Sequence, residues 1–385
     1  MRYDYVIIGG GIAGLSTAVN LALQTGEPGK ICVLEKGYIS YGASTRNATH
    51  FRVHFFNKEN TVFAIESRRR LLGLPKLTGY NPLVVQAGYL WLFHDEETEN
   101  AYREYNRKLW TPLGVPIRFL DKEELAARYP FLKLENIRSA AIGPQDGSFH
   151  HDSVVYGYYS KARRLGICVR EYAEVERISV GGGRVKGVEI QGYGSMGAGK
   201  VVVAAGAWSS RILGTAGVEL PTTPVLKEIL VTEPYRYRFK ELFIPMGWQG
   251  YFTQTLKGEI LGSVGMENEP EGLVPMENSL RWLTSFARMM VSVLKGSEHI
   301  RILRTWSGFY NMTPDAAHVL GDDEEWPEGL YVNTGYSGHG FMMAPYSGEV
   351  LAAYMVKGEL SEHMKPFLPR RFRTGELLGE GLVIG

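Results

Sequence analysis

Short, unbroken apolar runs that stop at glycine or at a charged residue punctuate this chain, and runs of that kind predict buried strands. Tyr5–Ile8 runs into Gly9 and is followed by a helical stretch, and Ile31–Leu34 ends on Glu35. Residues 36 to 57 then carry Gly, Ser, Thr, Asn, Arg and His with little periodicity, as an ordered ligand-contacting loop does. Glu59 to Leu74 is predicted as a helix, Val84 to Phe93 as a strand opening a different region, and Asp95 to Trp110 as a polar helix. Asp121 with Glu124 makes a capping-box-like start to a short helix that stops before Pro130.

Beyond the turn Pro144–Gly147, Asp152 is placed to cap a helix through Arg164. Strands are predicted at Ile167 to Tyr172, Val175 to Val180 and Val185 to Ile190, after which Lys200 to Ala205 returns to the first sheet and ends on a glycine turn. Strands dominate again from Thr222 to Val264, with a hairpin at Lys257–Gly258. A helix from Glu277 to Leu294 precedes a strand from Ile302 to Tyr310. The last unit is the strand Leu330–Thr334, a Ser-Gly-His-Gly turn and a helix to Met355.

This alternation predicts an α/β plus α+β fold in which two domains are interleaved. A Rossmann-like dinucleotide-binding domain is expected from residues 1–80, 144–221 and 320–385, and a mixed-sheet substrate-binding domain from 81–143 and 222–319. With 44% hydrophobic against 22% charged residues there is ample material for such cores, which excludes global disorder. A formal charge of +1 gives no reason to expect nucleic acid or an anionic membrane as partner. Arg68–Arg70 reads as a solvated helix face. Cys32 and Cys168, the only cysteines, each sit in an apolar run and are expected in the core, with neither a disulfide framework nor a metal site. No apolar stretch approaches the roughly 20 residues that span a bilayer. The expectation is a cytoplasmic protein, with peripheral membrane attachment left open.

The first chemistry lies at the first strand. Gly9, Gly11 and Gly14 form a Gly-x-Gly-x-x-Gly turn between a strand and a helix, which lets the backbone approach a pyrophosphate and the helix pack closely on its strand. Unpaired N–H groups at the helix start favour phosphate. Glu35 follows at about the 20-residue distance at which a carboxylate meets a ribose diol.

Two further glycine-punctuated strand ends converge on the same sheet, Ala205–Trp208 and Gly335–Gly340. Together with Leu303–Tyr310, Thr313–Asp315, the block Gly335–Pro345, and the tail residues Arg371–Phe372 and Gly375–Leu377, they give the whole chain a resemblance to the FAD-dependent D-amino acid oxidase superfamily. The resemblance is to the branch holding sarcosine oxidase, glycine oxidase and archaeal dye-linked L-proline dehydrogenase, above all the catalytic beta subunit of the last. It implies FAD held by Gly9, Gly11, Ile12, Ala13, Gly14, Glu35 and Lys36, by Ser44, Thr45 and Arg46, and by Val175, Ala205, Gly206 and Trp208. Gly308 and the run Gly338, His339, Gly340, Phe341 and Met342 complete that set. A helix starting there would stabilise negative charge on a reduced flavin by about 0.3–1 kcal/mol.

For the substrate, the resemblance implies Arg52 as carboxylate anchor, with Tyr251, Tyr310 and His339 around it. Arg46 is the alternative anchor, and His339 either bonds near the flavin or fixes its own turn. Four departures from the relatives matter. Met342 stands where sarcosine oxidases have a lysine, the oxygen-activating lysine falls near Gly262, and the flavin-linking cysteine falls near Gly308, while His50 is out of register with a covalent-attachment histidine. Noncovalent FAD and a poor reaction with oxygen follow. The implied function is an FAD-dependent dehydrogenase that oxidises a secondary amino acid, foremost L-proline, to its imine by hydride transfer, and passes electrons to another acceptor or a partner flavoprotein subunit. Sarcosine, glycine or D-amino acid oxidation is the alternative, and a noncatalytic electron-relay subunit is another. The beta-subunit likeness also implies an oligomer and room for a second flavin, FMN, at a subunit interface.

Overall fold

A computed structural model describes residues 2–381, and residues 1 and 382–385 of the expected outer domain ranges lie outside them. Two eight-stranded sheets carry the architecture. In the first, the order is Val319–Gly321, Leu330–Thr334, Gly194–Val203, Arg2–Ile8, Ile31–Leu34, Cys168–Arg170, with the meander Val175–Gly181 and Arg184–Ile190 added on the first half of Gly194–Val203. Its central strands are parallel, with Val6 opposite both Val201 and Cys32. Parallel pairing requires crossovers, and the helices that supply them cover one face.

Alternation along these strands sorts their side chains. Ile7, Val33 and Val202 enter the core beneath the helices Ile12–Thr25, His151–Leu165 and Gly340–Lys357. Val6, Ile8, Cys32, Leu34 and Val203 pack on the opposite face against Ile178 and Val188 of the meander. Among the described residues, no helix is long and apolar enough to cross a membrane.

The second sheet is antiparallel except where Leu242–Pro245 pairs with Tyr89–Phe93. Its two faces also separate by alternation. Leu90, Leu92, Leu230, Phe243 and Phe252 pack on Trp282, Phe286 and Met290 of the helix Leu280–Val293. Tyr89, Trp91, Leu242, Ile244 and Tyr251 face the other way and join the core beneath the first sheet's helices. That inner face and the ends of the parallel strands enclose the site.

Several expected boundaries move for physical reasons. His150, not Asp152, is the residue before the helix His151–Leu165, so Asp152 lies in the first turn, where its charge suits the helix dipole without capping it. Ser279 caps the helix expected from Glu277, by accepting from Trp282 N at 3.1 Å. The expected polar helix breaks into Glu96–Tyr105 and a π-helical turn, Asn106–Trp110. Val84 to Gly88 is not strand, although Val85 makes one bridge to Ser148. Cys32 is fully buried, but Cys168 is only half-buried, because its strand is the sheet's edge.

Candidate active site

A cavity of about 560 Å³ lies between the two sheets, within the range of ligand-binding clefts. Every residue singled out above as a cofactor or substrate contact lines it except Gly14 and Thr45. Gly14 has a packing role, since a Cβ there would fall 2.0 Å from Gly9 O. The Thr45 hydroxyl turns away to donate to Ser40 O at 2.9 Å.

The glycine turn is shaped by contact. Gly9 has φ +115°, and a Cβ on it would lie 2.3 Å from Ala204 O at the next strand end. Gly10 N donates to Glu35 Oε2 at 2.7 Å and Gly37 N to Glu35 Oε1 at 2.9 Å. Those two bonds fix the carboxylate at the cavity wall and leave each oxygen a further lone pair. Burial raises its pKa from the ordinary carboxylate value. Ile12 N donates to Ser44 Oγ at 3.0 Å, so the loop after the second strand closes over the helix start. Lys36 Nζ lies 3.3 Å from the Trp208 ring centroid, and burial lowers its pKa.

Farther along the cavity stands Arg52, a buried guanidinium. Its Cζ lies 4.4 Å from the Phe55 ring centroid and its Nη2 donates to His339 Nε2 at 3.1 Å. That bond needs the lone pair on Nε2, which places the ring proton on Nδ1. Burial, then the Arg52 charge, holds His339 well below the usual imidazole pKa, so the ring is neutral. Burial also raises two of the phenols that line this end, Tyr310 to about 12 and Tyr251 well above its ordinary value. Both remain protonated donors at neutral pH. Gly338, φ +91°, carries the Tyr310 ring, since a Cβ there would meet the ring at 2.4 Å. Arg46 is held elsewhere, with Nε donating to Tyr41 O at 3.2 Å and Nη1 to Ser307 O at 3.1 Å.

Sequence reasoning missed one cation here. Lys227 lines the cavity, is ion-paired with Glu269, and holds Nζ 5.5 Å from the Tyr310 ring centroid. Strand alternation was a usable signal, because Lys227 lies in phase with Val225 and Ile229 opposite Gly308 and Tyr310. Gly262, near which the resemblance puts the oxygen-activating lysine, faces away from the cavity. A Cβ on it would meet the Phe286 ring at 2.8 Å, on the far face of the second sheet. Ser263 lines the cavity instead, its hydroxyl donating to Glu228 O at 2.5 Å. Lys257 is exposed on its hairpin.

The polar groups suit a dinucleotide: a glycine turn at a helix start, a buried carboxylate beside it, and, in cavity-lining Asn311, a buried Oδ1 acceptor that finds no hydrogen-bond partner among the described residues. Residues 4–354 match the profile of the FAD dependent oxidoreductase (DAO) family. The chain belongs to that family. As an FAD-dependent oxidoreductase it is 27% identical to the sarcosine oxidase subunit beta of Rhodobacter capsulatus, over 100% of this chain and 92% of that protein. It is 27% identical to the glycine oxidase of Geobacillus kaustophilus, over 95% and 96%. Among solved structures of the family, the L-proline dehydrogenase of P. horikoshii superposes with a TM-score of 0.89 at 29% identity, covering 98% of this chain and 99% of that one. In this family member Gly9, Gly11, Ile12, Ala13, Glu35, Ser44 and the strand end Ala205–Trp208 all line the cavity.

Proposed function

We propose that this chain is an FAD-dependent dehydrogenase that oxidises a secondary amino acid, with L-proline the leading substrate, to its imine. The observation that carries the reading is Arg52: a buried cation in the cavity, backed by a neutral histidine and flanked by protonated phenols. A guanidinium in that setting pairs with a carboxylate in two-point geometry, and a lysine would not reproduce it. The structural likeness to an L-proline dehydrogenase across nearly both whole chains supports proline as the first substrate to test.

Bound FAD supplies the two-electron acceptor for the substrate C–H hydrogen. The chain's own residues do the rest. Arg52 anchors the carboxylate and thereby sets which C–H is presented. Tyr251 and Tyr310 donate hydrogen bonds and take no proton. His339, with Nε2 engaged by Arg52, orients the guanidinium. An ammonium brought beside the Arg52 charge in this buried setting is disfavoured relative to the neutral amine, so the substrate loses its proton on entry. FAD is held noncovalently in this reading. Electrons pass to an acceptor other than oxygen, such as a partner flavoprotein subunit in an oligomer, with a second flavin, FMN, at the shared interface.

Sarcosine, glycine or D-amino acid oxidation is the second reading, favoured by the relatives' names, sarcosine oxidase subunit beta and glycine oxidase, and by Lys227 in the cavity wall. An electron-relay subunit is a third, suggested by the subunit names of relatives. Anaerobic stopped-flow rates of flavin bleaching by L-proline, D-proline, sarcosine and glycine separate the three. L-proline fastest supports the proposal, sarcosine or glycine fastest supports the second reading, and bleaching by none supports the relay.

A further inference from the structure

The backbone that carries Arg52 is pinned from behind by a buried acid–imidazole pair outside the cavity. Asp146 and His54 are both fully buried. Asp146 Oδ1 accepts from Val53 N at 2.8 Å and Oδ2 from His54 Nδ1 at 2.7 Å. The other ring nitrogen, His54 Nε2, lies 2.9 Å from Val115 O, so both ring nitrogens face oxygen acceptors. The ring stands edge-on to Trp91 and Trp110, with centroids at 5.5 and 5.4 Å. Trp110 Nε1 in turn donates to Phe55 O at 2.8 Å. Residues 53 to 55 are thus each tied to the network, immediately after Arg52.

The strand end beside the pair is shaped to admit it. A Cβ on Gly143 would fall 2.4 Å from Asp146 Oδ2 and 2.6 Å from His54 Nδ1. Asp146 O also accepts from Gly88 N at 2.9 Å, which ties the pair to the second sheet. A buried ionisable pair is a poor source of stability compared with apolar residues of the same volume. What it supplies is direction. Its hydrogen bonds fix where residue 53 begins, and hence where the Arg52 side chain departs.

We propose that Asp146 and His54 are positioning residues for Arg52, holding its guanidinium in register for a substrate carboxylate. The inference rests on Arg52 being the carboxylate anchor. Two-point carboxylate binding tolerates little displacement, so a small shift of the Arg52 backbone is read out directly as lost affinity.

The test uses FAD-loaded enzyme and cyclopentanecarboxylate, a carboxylate that carries no amine, with binding followed by perturbation of the flavin absorption. Asp146→Asn keeps an acceptor for Val53 N but loses the charge facing His54. It is expected to weaken the probe on the order of tenfold, and to raise KM for the amino acid more than it lowers kcat, with FAD content retained. In an Arg52→Met background the same substitution is expected to have no further effect on the probe, because coupled positions are not additive. His54→Phe, which fits between the tryptophans, serves if Asp146→Asn does not fold, with the same expectations. Unchanged probe affinity in the variant that folds overturns the proposal, as does an equal loss with and without Arg52. If Arg52→Met itself leaves the probe bound as in wild type, the anchor reading fails and this inference with it. Failure of Asp146→Asn alone leaves the anchor reading standing.

Discussion

Arg52 Nη2 lies 3.1 Å from His339 Nε2, although 287 residues separate the two in sequence. The contact joins the residue after the short strand His50–Phe51 to the residue preceding the helix Gly340–Lys357. A cation held on the lone pair of a neutral imidazole keeps its charge and has its direction set. Arg52 N also donates to Met342 Sδ at 3.4 Å. Met342, expected from the resemblance at the place of a lysine in sarcosine oxidases, therefore helps seat the arginine.

Buried neutral histidines make stability depend on acid. His339 and His318 are held well below the usual imidazole value, and His50 is pushed down to about 4, each chiefly by burial. Unfolding lets these rings take up protons that the folded chain refuses. Their contribution is complete above the unfolded value of about 6.5 and is lost as pH falls below it. His318 stacks on Phe367 at 3.9 Å and on Tyr336 at 5.3 Å, so phenylalanine fits its place. Thermal unfolding from pH 8 to 5 is expected to show a shallower acid decline in His318→Phe than in wild type. Equal slopes would contradict the assignment.

Arg52→Met keeps length and removes charge. It is expected to weaken carboxylate binding by about 1.5–3 kcal/mol, the scale of hydrogen bonds to a charged group, while FAD content is preserved. Isothermal titration with the amino acid and the flavin-to-protein absorbance ratio report the two quantities. Loss of FAD would move Arg52 to the cofactor site. Arg46 is a poor substitute anchor, because its guanidinium already serves Tyr41 O and Ser307 O.

The dinucleotide turn was legible because its chemistry is local: a strand, three glycines, a helix and an acid at fixed spacing. The two-sheet architecture was legible for a similar reason, since unbroken apolar runs mark the parallel strands and glycine turns separate the meander. Side-chain partnerships across the fold were not. Lys227 meets Glu269 from another segment, and Asp146 meets His54 from a loop 92 residues earlier, so neither pairing leaves a local pattern. The resemblance pointed to Gly262 within one residue, and in a strand one residue decides the face: Gly262 faces Phe286 and Ser263 lines the cavity. Asp152 failed as a cap because a boundary one or two residues away changes which side chain meets the free N–H groups.

Noncovalent flavin is the expectation at Gly308. A Cβ at Gly308, near which the resemblance places a flavin-linking cysteine, would lie 3.1 Å from Arg46 Cβ, and glycine offers no nucleophile. Acid precipitation is expected to leave all flavin in the supernatant as intact FAD. Yellow colour retained in the washed pellet would refute this.

Oxygen reactivity is expected to be governed by the Lys227–Glu269 pair. Reduction of oxygen to hydrogen peroxide takes two electrons and two protons, and a nearby free cation stabilises the negative charge that develops. Glu269 neutralises Lys227 here. Reduced wild-type enzyme is expected to react slowly with oxygen and rapidly with an artificial dye. Glu269→Gln should accelerate the oxygen reaction, by up to about a hundredfold, and Lys227→Met should not. Stopped-flow reoxidation measures all three. Wild-type reoxidation by oxygen as fast as by dye would mark an oxidase.

The central claim, that the Arg52 cavity oxidises L-proline, is tested most directly by anaerobic titration of the isolated FAD-loaded chain with that amino acid. The oxidised-flavin absorption is expected to bleach, and to return on addition of dye. Absorption that persists with excess L-proline, yet bleaches with dithionite, would contradict it.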